Sequence, residues 1–252
     1  ACGTARCHAA GGRGGHPGSG TGRAVVAAAT AGSVALAVAA GAGLAARALW
    51  PGAPAEEPLL PADEAEEVDY GDPAYWQRRY LAEPEPFDWL GSFVELRPWL
   101  WRAAEGRRRI VHLGCGTSEL PEEMYDSGCF GEICNVDTSP ACLEVMRHRN
   151  AGVRPQLRWV QADVRDMRGT FADGEFDCAL EKSTLDSICD SGRDGEAAAY
   201  AAEVARLLRP GGTFLVFSYA PPASRLRHLE GHFHCEAEVA ADRCFAYLCH
   251  KR

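Results

Sequence analysis

Short apolar runs alternate with amphipathic helical segments from about residue 70 to the C-terminus, and this alternation constrains the fold most strongly. It is typical of a parallel sheet covered by helices. We therefore predict one doubly wound, mostly parallel, seven-stranded Rossmann-like α/β domain over residues 74–252. The predicted strands are residues 109–113, 133–136, 157–161, 176–180 and 213–218, with two weaker strands at 236–240 and 244–250, and the main connecting helices are 118–127, 139–149 and 197–208.

The region before this domain has a composition that cannot build a buried core. Residues 1–23 are a Gly-rich basic leader, which we predict to be disordered. Residues 24–49 are Ala-rich and apolar, and the uncharged stretch 24–46 leaves three alternatives: a membrane anchor, a low-complexity leader or an organelle transit peptide. Residues 50–73 form an acidic Pro-rich linker. We therefore expect a protein that faces the cytoplasm, with or without a membrane tether, or that enters an organelle.

Charge and cysteine content limit the kinds of binding partner and the redox state of the cellular compartment that the sequence allows. The chain has a formal net charge of -9 at pH 7, so a surface for nucleic-acid phosphate would be a local exception, and we expect no nucleic-acid partner. Its 11 cysteines are odd in number and include no Cys-x-x-Cys pair, which favours reduced thiols over a disulfide framework. We therefore expect the folded part to face a reducing compartment.

A Gly-Cys-Gly turn follows the first predicted strand, which is where ligands bind in a doubly wound sheet. Gly114 and Gly116, on either side of Cys115, allow a sharp turn and the close approach of a ligand. Glu119 stands where the dinucleotide fingerprint Gly-x-Gly-x-x-Gly has its last glycine, and its carboxylate would repel a pyrophosphate. The turn therefore favours a ligand without phosphates over NAD or FAD.

Two aspartates follow the second and third predicted strands. Asp137 is placed where a carboxylate can accept both hydroxyls of a ribose, although an ordinary strand-end aspartate is the alternative. Asp163 can accept from an exocyclic amine while the backbone N–H of Val164 donates to a ring nitrogen, a pair that matches an adenine edge. Together with the Gly-Cys-Gly turn, the two aspartates predict a nucleoside site.

Several segments give the chain a family resemblance. IVHLGCGTSEL, NVDTSP, QADVRDM, FDCALEKSTLDSI and LLRPGGTFLVFS resemble the successive motifs of the seven-β-strand S-adenosylmethionine-dependent methyltransferases. YWxxRY at 75–80, FDW at 87–89, EKSTLD at 181–186 and YLCHK at 247–251 resemble the protein-lysine methyltransferases that modify translation elongation factor 1-alpha, and more loosely the mitochondrial citrate synthase lysine methyltransferase. The resemblance covers about residues 70–252. It implies S-adenosyl-L-methionine as the cofactor and a lysine of a protein as the acceptor.

The resemblance also implies which residues bind the cofactor: Trp76, Tyr80, Phe87, Gly114, Cys115, Gly116, Asp137, Thr138, Asp163, Val164 and Lys182. The cofactor carries a sulfonium, a cation that the aromatic faces of Trp76 and Tyr80 would attract. Their i, i+4 spacing also fits ordinary packing of a helix against the core. The chain has Ser183 and Phe87 where relatives often have glycine and tyrosine, which affects the shape of the acceptor channel and removes one hydroxyl contact.

The implied reaction is an in-line displacement of methyl from sulfur to a deprotonated lysine nitrogen, which depends on positioning and desolvation. Glu181 and Asp186 are the candidate catalytic residues that would orient the ammonium and help its proton leave. A strand-end cap and an exposed helix acid are the alternatives for these two carboxylates. A cofactor-binding pseudoenzyme or assembly factor on the same fold remains the alternative function.

Histidines and cysteines are concentrated near the C-terminus: His228, His232, His234, Cys235, Cys244, Cys249 and His250. None of them forms the close pair that is typical of a structural zinc site. We interpret them as packed thiols and solvated histidines, and we predict no metal site.

Overall fold

Apolar runs that end at a glycine, an aspartate or a polar turn form the strands, as expected for a sheet covered by helices. The computed structural model describes residues 68–252. In this range the strands are β1 (Arg109–Leu113), β2 (Glu132–Asp137), β3 (Leu157–Gln161), β4 (Phe176–Lys182), β5 (Leu208–Ser218), β6 (Phe233–Ala241) and β7 (Cys244–Lys251). Strands β1 to β5 are parallel, β7 is antiparallel to β5 and β6, and the order is β3-β2-β1-β4-β5-β7-β6. The predicted fold class is confirmed.

Two helices precede β1 and five lie between later strands of the described range, and several begin at residues that suit a helix start. They are α1 (Pro73–Ala82), α2 (Phe93–Ala104), α3 (Leu120–Asp126), α4 (Pro140–Asn150), α5 (Thr184–Asp190), α6 (Glu196–Leu207) and α7 (Pro222–Leu229). Ser139 caps α4 by accepting from the backbone N–H of Cys142, and Pro140 occupies the first turn, where its missing N–H costs nothing. These local signals explain why the start of α4 agrees with the prediction to within one residue.

The position of the site follows from the strand order. The chain runs outward from β1 through β2 to β3 and then crosses back to β4 on the other side of β1. The loops after β1 and β4 therefore leave the sheet in opposite directions, which opens a crevice at their carboxyl ends. Both strands are buried along most of their length, so the crevice has a rigid floor.

Two predictions about the strands and cysteines are wrong. Strand β5 begins at Leu208, which pairs with Phe176, and not at residue 213 as predicted, so residues 209–212 lie inside the strand beside a register shift. Cys235 and Cys249 are opposite each other across β6 and β7, with Cα atoms 4.0 Å apart, and form a disulfide. The expectation of reduced thiols fails for this pair because antiparallel pairing brings together two cysteines that are 14 positions apart. The other seven cysteines of the described region are free.

The helices of residues 68–252 are all too short or too polar to cross a membrane. The predicted leader, the Ala-rich segment 24–49 and most of the linker lie outside the described residues. The alternatives given for them therefore stay predictions.

Candidate active site

A cleft opens at the carboxyl ends of β1, β2 and β4, where the strand order reverses. Its water-accessible volume is about 110 Å³. All the residues predicted to bind the cofactor line this cleft: Trp76, Tyr80, Phe87, Gly114, Cys115, Gly116, Asp137, Thr138, Asp163, Val164 and Lys182. The two candidate catalytic residues, Glu181 and Asp186, lie behind its wall.

The turn after β1 requires its two glycines. Gly114 and Gly116 have φ angles of 65° and 53°, in the left-handed region that glycine adopts without strain. A Cβ atom on Gly114 would lie 2.1 Å from Oγ1 of Thr184, and one on Gly116 would lie 2.8 Å from the hydroxyl of Tyr80. The turn therefore packs directly against the start of α5 and against α1, and a larger residue at either position would displace them.

Asp137 lies at the end of β2 with its carboxylate beside this turn. One oxygen accepts from the N–H of Gly116 and the other from the N–H of Ser139, each at 2.9 Å. Burial raises the pKa of Asp137 despite these hydrogen bonds. A carboxylate oxygen can accept more than one hydrogen bond, so both oxygens keep capacity for the hydroxyls of a ribose. The geometry of this residue fits the predicted role.

Asp163 has a partner that the sequence did not suggest. Its carboxylate is paired with the guanidinium of Arg165 at 2.7 Å and accepts from the backbone N–H of Arg165 at 2.9 Å. Partial burial raises the pKa of Asp163, but the Arg165 hydrogen bonds outweigh it and the net direction is downward. Asp163 is therefore an ionised acceptor, and an adenine amine would share it with Arg165.

Trp76 and Tyr80 of α1 line the cleft. The rings of Trp76 and Tyr80 are stacked with centroids 5.9 Å apart, and Trp76 donates from Nε1 to the carbonyl of Tyr70 at 2.7 Å. None of the residues of α1 is fully buried, which disfavours the alternative that this pair is ordinary core packing. Phe87 lies under the guanidinium of Arg79, whose central carbon is 5.1 Å from the ring centroid.

Lys182 ties the segment between α1 and α2 to the sheet. Its ammonium is buried, forms an ion pair with Asp88 and donates to the carbonyl of Gly91 at 3.3 Å. Asp88 also accepts from the hydroxyl of Ser118 and, at 3.1 Å, from the N–H of Glu119. Burial lowers the pKa of Lys182, against the opposing effect of Asp88. Lys182 lines the cleft, and its positive charge is paired with Asp88.

Asp186 is the centre of a buried polar network next to the cleft and is 1% exposed. Its carboxylate accepts four hydrogen bonds, from the hydroxyl of Ser218, the N–H of Tyr219 at 3.1 Å, the hydroxyl of Ser183 at 3.1 Å and Nε of Arg225 at 2.8 Å. The interpretation of Asp186 as an exposed helix acid is therefore wrong. Its accepting capacity is filled by the protein itself.

Glu181 is fully buried at the end of β4. One oxygen accepts from the N–H groups of Thr184 at 2.5 Å and Leu185 at 3.2 Å, which caps the start of α5. The other oxygen has no hydrogen-bond partner among residues 68–252. Burial, with a contribution from Asp186, raises the pKa of Glu181 well above its usual value. Burial therefore favours the protonated form of this side chain, whereas the two backbone N–H groups favour the ionised form.

Ser183 joins these two carboxyl groups through a left-handed turn. Its φ angle is 69°, a conformation that a residue with a Cβ rarely adopts. The turn is held by the Ser183 N–H, which donates to the carbonyl of Phe217 at 2.9 Å, and by the hydroxyl bond to Asp186. Strained backbone held by several bonds is common beside functional sites.

Ser218, Tyr219 and Arg225 were missed by sequence reasoning. Ser218 and Arg225 lie 32 and 39 positions from Asp186, and their type and spacing carry no motif. His112 was also missed; it lines the cleft and contacts the side-chain oxygen of Asn135 at 3.2 Å. Burial lowers the pKa of His112 to about 4, so it is neutral. Its place in the middle of an apolar strand was the available signal.

The known proteins that are similar in sequence to this chain are methyltransferases. The family described as "Methyltransferase domain" matches residues 111–216. EEF1A lysine methyltransferase 4 of Mus musculus is 36% identical over 189 residues, which cover 71% of this chain and 71% of that protein. The eEF1A lysine and N-terminal methyltransferase of Bos taurus is 33% identical over 179 residues, which cover 69% of this chain and 25% of that protein. The chain therefore spans about a quarter of the length of this second relative.

Solved structures share the fold. PH0226 protein from Pyrococcus horikoshii OT3 has a TM-score of 0.56 at 16% identity, with 69% of this chain and 99% of that chain covered. The TehB-like SAM-dependent methyltransferase from Corynebacterium glutamicum has a TM-score of 0.52 at 17% identity, with 72% and 100% covered.

Proposed function

Because the chain belongs to the eEF1A lysine methyltransferase family, whose cofactor is S-adenosylmethionine, we propose that it transfers methyl from this cofactor to a lysine side chain of a protein. Elongation factor 1-alpha is the proposed substrate, by likeness to the relatives' names. The observation that supports this most is the convergence of the predicted cofactor residues on one cleft.

The cleft residues divide into three groups around the proposed cofactor. Asp137 would accept hydrogen bonds from the ribose hydroxyls, since each of its carboxylate oxygens can accept one more. Thr138 would lie next to the ribose. Asp163 and the N–H of Val164 would contact the adenine edge. When bound, the cofactor supplies a methyl group on a positively charged sulfur, and the stacked rings of Trp76 and Tyr80 would stabilise that charge by about 0.5–2 kcal/mol.

The acceptor side would work by shape and desolvation. A lysine ammonium has a pKa of about 10.4 in water, and a channel of low polarity lowers it, so the neutral amine forms without a strong base. Asp186 would hold the ends of β4 and β5 beside this channel through its hydrogen bonds with Ser183 and Tyr219. Glu181 would hold the start of α5 through the N–H of Thr184. We assign both carboxyl groups a positioning role in the reaction.

Methyl transfer can be tested with the purified chain, isotopically labelled S-adenosylmethionine and elongation factor 1-alpha from cells that do not methylate it. We expect label on a lysine of the elongation factor, located by mass spectrometry. The variant Asp137→Ala serves as the matched control and should give no label. Cofactor binding in calorimetry without label on this or any other protein of a lysate would contradict the proposal and favour a pseudoenzyme.

A further inference from the structure

Three metal-ligating side chains meet on the floor of the cleft. The sulfur atoms of Cys115 and Cys142 and a carboxylate oxygen of Asp137 all lie within 4.8 Å of one another. All three residues are buried. Cys115 and Asp137 line the cleft, so the group is reached from the cleft when nothing occupies it.

The backbone fixes these three groups in place. Cys115 lies in the turn after β1, and its N–H donates to the carbonyl of Val136 at 3.0 Å. Asp137 is the last residue of β2, the strand that pairs with β1. Cys142 lies in the first turn of α4, with its N–H bound to Ser139 at 3.2 Å. The ligands therefore come from two neighbouring strand ends and a capped helix, which keeps their separation constant.

The donor set selects a particular class of metal ion. Two thiols and one carboxylate suit a borderline-soft divalent ion such as zinc, whereas magnesium and calcium prefer oxygen ligands alone. Tetrahedral zinc holds two sulfur ligands at about 2.3 Å each, which places the sulfurs about 3.8 Å apart. The observed upper limit of 4.8 Å between the ligand atoms is close enough for this geometry after small side-chain shifts.

We propose that Cys115, Asp137 and Cys142 form a zinc site that competes with the cofactor for the cleft. Each thiol loses its proton to solvent as its sulfur binds the metal, and water occupies the fourth position. This inference rests on the proposed function in one respect, namely that Asp137 holds the ribose. A metal on Asp137 withdraws that carboxylate from the ribose, so zinc and cofactor exclude each other.

Cys178 provides a matched control because it is as fully buried as Cys142. It lies on β4 and belongs to none of the metal-ligating groups found among residues 68–252. Replacing either residue with alanine removes one buried thiol of the same kind. A difference between the two variants in metal binding therefore reports on the site and not on the loss of a buried sulfur.

The test is a titration of the metal-free full chain with cobalt(II), without reductant so that the Cys235–Cys249 disulfide is kept. We expect a sulfur-to-cobalt charge-transfer band that zinc removes by displacement. Cys142→Ala should weaken the cobalt affinity of this band by more than about tenfold, since one of two sulfur ligands is gone. Cys178→Ala should leave the band unchanged, and S-adenosylmethionine should suppress it in the wild-type protein.

Equal cobalt affinity in the two alanine variants would overturn the site. Simultaneous binding of cobalt and S-adenosylmethionine would overturn the competition. Calorimetry on the metal-free protein separates these results from a failure of the proposed function. If S-adenosylmethionine does not bind there, the function fails, while the comparison of the two variants still decides whether the metal site exists.

Discussion

The two sides of the cleft use their carboxylates in opposite ways. At the end of β2, Asp137 accepts one backbone hydrogen bond on each oxygen and keeps capacity toward the cleft. At the start of α5, Asp186 accepts four hydrogen bonds from the protein, so its carboxylate has no lone pair left to accept one from a ligand. The first arrangement can hold a ligand directly, whereas the second holds the protein in one shape. Substitutions on the two sides should therefore fail differently.

Breaking the buried ion pair between Arg225 and Asp186, on the proposed acceptor side, should have the largest effect. Arg225→Met leaves the Asp186 carboxylate buried without its cation, which costs about 3–5 kcal/mol in the free energy of unfolding. We expect this loss in urea unfolding, together with a lower kcat and little change in cofactor affinity for the folded fraction.

The control for this variant is Arg209→Met, because Arg209 also forms an ion pair, with Asp177, but is half-exposed. We expect it to cost less than about 1 kcal/mol. The double variant Asp186→Asn with Arg225→Met should recover part of the loss, since no unpaired charge remains. A stability of Arg225→Met equal to that of the Arg209 variant would show that the network does not hold the acceptor side.

Asp137→Ala should have the next largest effect, and on binding more than on folding. Two hydrogen bonds from ribose hydroxyls to a carboxylate are lost, so calorimetry should give a cofactor affinity at least about 100-fold weaker. The thermal midpoint should fall by less, because the N–H groups of Gly116 and Ser139 lose their acceptor while the cost of burying this carboxyl is removed. Asp173→Ala, which removes an exposed carboxylate, is the control; equal affinities for the two variants would place the ribose elsewhere.

Glu181 should make the stability of the protein fall as the pH rises. Its folded-state pKa is raised above the ordinary 4.5, so the folded protein keeps a proton that the unfolded chain releases. Stability should therefore fall as pH rises above 4.5, by at most about 1.4 kcal/mol per pH unit, until the folded-state pKa is passed. Glu181→Gln should remove this contribution. Wild-type stability that rises with pH relative to the variant would mean an ionised Glu181.

The smallest effect is expected for Ser183→Gly. Glycine removes the strain of the left-handed backbone, which should raise the free energy of unfolding by about 1 kcal/mol. Loss of the hydroxyl hydrogen bond to Asp186 should lower it by about the same amount. Urea unfolding should therefore show a change of less than about 1 kcal/mol. A loss of several kcal/mol would show that the Ser183 hydroxyl is essential to the network.

The same contrast explains what could be predicted from sequence. The proposed cofactor side is built from residues at or just after the ends of strands, such as Asp137 and Gly114, and the strands themselves show as apolar runs. The acceptor side depends on Arg225 and Ser218, which meet Asp186 only through the pairing of β4 with β5 and the packing of α7. The Cys235–Cys249 disulfide and the Cys115–Cys142 contact were hidden for the same reason, because tertiary pairing creates them.

The most direct measurement is an experimental structure of the chain with S-adenosylhomocysteine bound. We expect the ribose hydroxyls within hydrogen-bond distance of Asp137, the adenine edge at Asp163 and Val164, and the sulfur beside Trp76 and Tyr80. A nucleoside bound away from Asp137, or a cleft closed by the protein itself, would contradict the assignment of this cleft as the cofactor site.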